Sequence, residues 1–298
     1  MNRLLLTTSI KKELWEYKKM LLWLPLIIIS LDIAAPVINY LLSDASVNYW
    51  MMRFERLALQ SENPEFATVF FHGTFMLYMP FIVIATIVQL YYFIACLYDE
   101  RRDMSILFWR SLPVPDSLTI AVKLVVGALV IPAIFTLAAT VTLVIFLLAF
   151  FVLCIVLFSS YDLSLWGLWV NSDILTNIFS IWISILPYAL WMLPVYAWLM
   201  LVSMFANKAP FLWAVLPVVI ILLLEAFLVN YFNLSHYYVV DLLRNYFSLA
   251  LVSFSLHGNN IQQLPFTLFA DNVSVVGVII SAGLLYLTYW LRVNRSHD

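Results

Sequence analysis

The sequence predicts an all-α, polytopic membrane protein. Three observations carry that prediction. Of 298 residues, 64% are hydrophobic and only 11% are charged, against roughly 45–50% and 25% in soluble domains. Mean hydropathy is +0.98, an apolar excess that a single water-soluble core cannot hide. The apolar residues are also gathered into runs long enough to cross a bilayer, which takes roughly 20 residues for a hydrocarbon core of about 30 Å. Lipid-facing backbone has to satisfy its own hydrogen bonds, so those runs are helices.

Six stretches qualify: residues 21–41, 76–97, 123–158, 178–204, 209–230 and 273–291. The third is long, with no Asp, Glu, Lys or Arg between Lys123 and Asp162. It reads either as one protruding helix or as a hairpin near Pro132 that adds a seventh span. Basic residues favour the first reading, because cytoplasmic loops carry their excess. Six spans with both termini inside place Arg3, Lys11, Lys12, Lys18, Lys19, Arg101, Arg102, Arg110, Lys123, Lys208, Arg292 and Arg295 on the cytoplasmic side, twelve of fifteen. Arg53, Arg56 and Arg244 are left outside. Asp32 interrupts the first apolar run, so the N-terminus reads as a span and not as a cleaved signal. The chain is expected to form a single transmembrane domain over residues 1–298, in a cell (inner) membrane.

Residues 9–20 precede the first span. At 3.6 residues per turn Ile10, Leu14 and Tyr17 share a face, while Lys12, Glu16 and Lys19 take the opposite one. That pattern suits a helix lying in the headgroup plane of an anionic leaflet. The plainer alternative is that these lysines only fix topology.

After the second span comes a loop, residues 98–118, with a run of five charges, Asp99, Glu100, Arg101, Arg102 and Asp103. A short helix is expected next, capped by Asp103 and stopped by Pro113. Met104, Leu107 and Phe108 form one apolar stripe, and Ile106, Trp109 and Arg110 point elsewhere. A helix apolar on more than one side suits a bilayer on one face and a protein partner on the other. A simple amphipathic loop held against the membrane is the other reading.

The Asp-Glu-Arg-Arg run, the segment Ser105 to Val114, and Asp116 leading into the Lys123-bearing span resemble the first cytoplasmic loop of type-2 ABC exporter permeases. The resemblance covers the whole chain in topology and about twenty residues in motif. It implies an N-terminal interfacial helix, six spans, and a coupling helix that docks on an ATP-binding subunit. Asp99, Glu100, Arg101, Arg102, Met104, Leu107, Phe108, Arg110 and Asp116 are then the residues expected to couple the chain to that ATPase. It also implies a second permease copy, identical or related, and ATP and magnesium held in the partner. In the commoner family version Gly-Thr-Leu-Glu stands where Asp103 to Leu107 are here, so the subfamily and the substrate stay open.

The outer loop 231–272 contains the apolar stretch Tyr246 to Leu256, too short to span and expected to be re-entrant or interfacial. Tyr237, Tyr238, Tyr246 and Phe247 suit an outer aromatic belt. The loop anchors the fold or gates it; both readings stand.

Chemistry is sparse. The six glycines form no phosphate-cradling loop, so no cofactor is expected in this chain and any ATP binds a separate polypeptide. His72, His236 and His257 lack ligand spacing, and no His-Glu-x-x-His occurs, so no catalytic or metal residue is assigned. The formal charge of −2 argues against a nucleic-acid partner. Two carboxylates fall inside spans, Asp32 and Glu225. A charge at the bilayer centre costs about 2.5–3.5 kcal/mol on insertion scales, so each is a candidate for a translocation path or for a helix-packing hydrogen bond. Outside the exporter reading stand a self-sufficient secondary transporter or channel, for which inverted repeats and midplane charges are expected, and an intramembrane enzyme using Asp32, Glu225 or a histidine.

Overall fold

The computed structural model describes residues 3–43, 47–61, 66–103, 115–170, 172–232, 236–252 and 269–294. The described residues fold into helices joined by short turns, with no strand among them. In chain order the helices are α1 (Arg3–Glu16), α2 (Lys18–Leu42), α3 (Val47–Ser61), α4 (Phe66–Ala95), α5 (Tyr98–Arg102), α6 (Asp116–Val125), α7 (Ile131–Tyr161), α8 (Gly167–Val170), α9 (Ile174–Trp191), α10 (Leu193–Phe205), α11 (Pro210–Phe232), α12 (Tyr238–Val252) and α13 (Val275–Asn294). Among the described residues, six helical runs are long and apolar enough to cross a membrane: Lys18–Leu42, Phe70–Arg102, Asp116–Tyr161, Gly167–Trp191, Pro210–Phe232 and Val275–Asn294.

The long third run is one helix. A π-helical turn, Val126–Val130, joins α6 to α7, and the chain does not reverse at Pro132. Proline lacks an amide hydrogen, and its ring presses on the carbonyl four residues back, here that of Ala128. A widened turn over 126–130 accommodates both defects without ending the helix. The 46-residue run from Asp116 to Tyr161 has a contour of about 69 Å at 1.5 Å per residue, more than twice a hydrocarbon core. It ends at Asp162, whose φ of 56° gives a left-handed cap.

Two expectations are corrected in shape. The apolar stretch 178–204 is not a single rod, because it breaks at Met192 between α9 and α10. Pro194 explains the break: its ring excludes a regular turn over Leu190. The N-terminal helix begins at Arg3, ahead of residue 9, and ends at Glu16; Lys18, Lys19 and Met20 already belong to α2. Between the apolar runs, α3 and α12 supply helix in the two segments where only loop or interfacial character was expected.

The chain divides into two compact units of interleaved segments. The first comprises Met1–Glu13, Val88–Leu129 and Leu186–Asp298; the second comprises Leu14–Ile87 and Val130–Ile185. In the first unit α10 packs along α13, and Tyr196, Ala197, Met200, Val202 and Ser203 are wholly buried. α11 carries large apolar side chains on most of its circumference, including Phe211, Leu212, Leu216, Leu223 and Leu224, all exposed. A helix apolar all round belongs in lipid or against another chain.

In the second unit α2 lies along α7. The end of α7 and α8 enclose a small core of Cys154, Leu157, Leu165 and Leu168, completed by Met51 and Phe54 from α3 and by Phe70 from α4. A neutral polar tie belongs to the same unit. Thr140 Oγ1 donates to the Thr136 carbonyl at 2.7 Å, accepts from Trp182 Nε1 at 3.2 Å, and lies 2.9 Å from Tyr78 Oη.

Candidate functional site

The most unusual feature of the first unit is a cluster of charges taken out of water. Glu13 of α1, Glu100 of α5, Lys123 of α6 and Arg292 of α13 are each 1–2% exposed. Lys123 Nζ lies 2.9 Å from Glu13 Oε1 and 3.2 Å from Glu100 Oε1. Lys12 adds a second ammonium, 3.2 Å from the same Glu100 oxygen. The other Glu100 oxygen accepts from Arg292 Nη1 at 3.2 Å, and Arg292 Nε donates to Asp116 Oδ1 at 2.7 Å. Tyr92 Oη donates to the second oxygen of Glu13 at 3.0 Å.

Lys12, Lys123 and Arg292 thus balance Glu13, Glu100 and Asp116. Burying one such charge alone costs several kcal/mol, and the cost is met only when partners and hydrogen bonds surround it. The cluster is therefore cooperative: each ion is tolerable because the others are in place.

Arg292 has the decisive position. Glu100 precedes the segment 104–114 in the chain, and Asp116 follows it. One guanidinium, borne by the last turn of α13, holds both. The first root of the loop is fastened a second time. Ser203 Oγ accepts from the amides of Leu97 and Tyr98 at 3.1 and 2.9 Å. Arg101 donates to the carbonyls of Ser203 and Ala206 at 2.8 and 2.7 Å. Those acceptors are at the carboxyl end of α10, where a cation satisfies orphan carbonyls and opposes the helix dipole.

The residues singled out in the sequence fare differently. Glu100 and Asp116 meet through Arg292, and Arg101 caps α10. Arg102 is exposed and pairs with Asp99 at 3.5 Å and Asp103 at 3.0 Å, on the surface. Met104, Leu107, Phe108 and Arg110 lie outside the described residues. Asp32 belongs to α2 in the second unit, where its Oδ2 has no hydrogen-bond partner among the described residues. Glu225 of α11 accepts the amides of Val239 and Val240 at 2.6 and 3.0 Å, capping the start of α12.

Glu13, Lys123, Arg292 and Tyr92 were not selected as site residues from sequence. The polar face assigned to Lys12 is corrected too: Lys12 turns into the cluster beside Glu13, while Glu16 and Lys19 are exposed and Trp15 is turned outward with them, 75% exposed. A usable signal was present: Lys123 and Arg292 stand flush against uncharged apolar runs, where a charge has to find a partner or leave the membrane.

No family model, no curated protein and no solved structure matches this chain.

Proposed function

We propose that this chain is the membrane-spanning permease subunit of an ATP-driven exporter of the type-2 ABC kind. A separate subunit hydrolyses ATP, and the segment 98–118 passes its motion to the helices. Two copies, identical or related, form the pathway in a cell membrane, with both termini and this loop on the cytoplasmic side.

The observation that carries the reading is the bridge from Glu100 through Arg292 to Asp116. It fixes both roots of one loop to the end of α13, while Lys123 and Glu13 bind the same knot to α6 and α1. A loop rooted in this way has both of its ends tied to the helices that hold them. Force applied to it reaches α1, α6, α10 and α13 together, which is what a subunit lacking its own nucleotide site needs. The charged run and the Leu-Pro-Val ending at Val114 support the same conclusion through their resemblance to coupling loops.

Affinity purification from native membranes tests the reading. The chain is expected to bring down an identified ATP-binding subunit, and Phe108→Ala or Arg110→Ala is expected to release it. Solute or ion movement by the purified chain alone in liposomes, without ATP, would overturn the reading in favour of a self-sufficient transporter or channel.

A further inference from the structure

The π-helical turn Val126–Val130 lies one helical turn beyond Lys123, between a short segment held in the ion cluster and the long apolar α7. Such turns interrupt the regular hydrogen-bond ladder and are points where helices bend. Here the interruption has a covalent cause in Pro132, and the helix cannot heal by small rearrangement.

Two features around it are specific. Gln89 is completely buried, and its side-chain amide donates 2.9 Å to the Gly127 carbonyl inside the turn. The other end of the Gln89 side chain accepts from Tyr188 Oη at 3.3 Å. Gly127 itself is required by contact: a Cβ there would lie 2.3 Å from Phe93 Cζ. The Phe93 ring is backed by Tyr196, stacked at a centroid distance of 4.4 Å. A buried glutamine is costly unless both ends of its amide are engaged, and both are. Gln89, Gly127 and Tyr188 all belong to the first compact unit. Each stands within three residues of the point where its helix leaves that unit, at Ile87–Val88, Leu129–Val130 and Ile185–Leu186.

We propose that Val126–Val130 is a built-in pivot of the long third helix and that the Gln89 side-chain amide is its latch. With the bond to Gly127 made, α6 and α7 act as one rod. With it broken, the proline-weakened turn lets α6 swing with the ion cluster while α7 keeps its own packing. The pivot belongs to the fold and stands or falls independently of any ATPase.

The test uses the dipeptide Gly127–Ala128, the one Gly-Ala pair in the sequence. Full-length protein carrying [1-13C]glycine and [15N]alanine, reconstituted in phospholipid bilayers without nucleotide, gives a single directly bonded 13C–15N pair by solid-state NMR. The Ala128 N–H order parameter is expected near the rigid value of about 0.85 in the wild type, and below about 0.6 in Gln89→Leu. Tyr188→Phe, which removes a partner of Gln89 and leaves the amide in place, is expected between the two and covers the case in which Gln89→Leu does not fold. Adding Pro132→Ala to either variant restores a regular turn and is expected to return the rigid value. Rigid Ala128 in both Gln89→Leu and Tyr188→Phe would overturn the proposal. So would mobility that Pro132→Ala fails to reverse, because the flexibility would not then arise in the widened turn.

Discussion

The two compact units solve the same problem with opposite chemistry. In the first, helices are joined by six ions around Glu100 and Arg292. In the second, α4, α7 and α9 are joined by the hydroxyl of Thr140, which serves Tyr78, Trp182 and the Thr136 carbonyl. The neutral tie takes little desolvation and can lose one member without stranding a charge. The ionic tie takes a large desolvation cost and offsets it only as a complete set. A packing device needs no such sensitivity, whereas a joint that must move as one body benefits from it. The difference places the interdependent, all-or-none set of contacts at the base of the charged loop.

Breaking the ionic tie gives the largest expected effect. Arg292→Leu removes one of the three cations that balance three carboxylates and is expected to cost about 3–5 kcal/mol of stability, measured by denaturant unfolding in detergent micelles. Removing Glu100 as well, as Glu100→Leu on Arg292→Leu, is expected to cost less than the sum of the single changes, because neither charge of the pair is then left over. Strict additivity would mean that the two residues act separately.

The neutral tie sharpens the contrast. Thr140→Val removes the shared hydroxyl and is expected to cost about 1 kcal/mol, within the range of hydrogen bonds between membrane helices. A loss as large as that of Arg292→Leu would erase the distinction between the units. Glu225→Gln is the smallest change expected. It keeps the shape of the cap on α12 and removes its charge, for a loss of about 0.5 kcal/mol, read as fraying of α12 by hydrogen exchange.

The helical class was legible because hydropathy acts locally: each of the six apolar runs read from sequence falls on helix, although the helix of the second begins at Phe66, ten residues ahead of its run, and that of the third at Asp116. The continuity of the third past Pro132 was favoured by charge counting, with a hairpin left open, and is seen as helix from Asp116 to Tyr161. The division at Met192 was not read, although Pro194 was visible, because a proline in an apolar run is as compatible with a kink as with a break. The ion cluster was legible only in part. Asp99 to Arg102 announced themselves as a dense run, but the partner that Glu100 shares with Asp116 is remote: Arg292 lies 176 residues from Asp116 and 192 from Glu100. No local periodicity encodes such a pairing. Glu13 was hidden for another reason, since an acid among lysines on an amphipathic helix reads as part of a solvated face.

Comparison of the free ATP-binding subunit with the complex in phospholipid nanodiscs is the most direct measurement. Binding this chain is expected to change the ATP hydrolysis rate of its partner several-fold. Phe108→Ala in the loop is expected to abolish the change without unfolding the chain. An ATPase rate indifferent to this chain, or unchanged by Phe108→Ala, would contradict the claim that the loop rooted at Arg292 is where a motor acts.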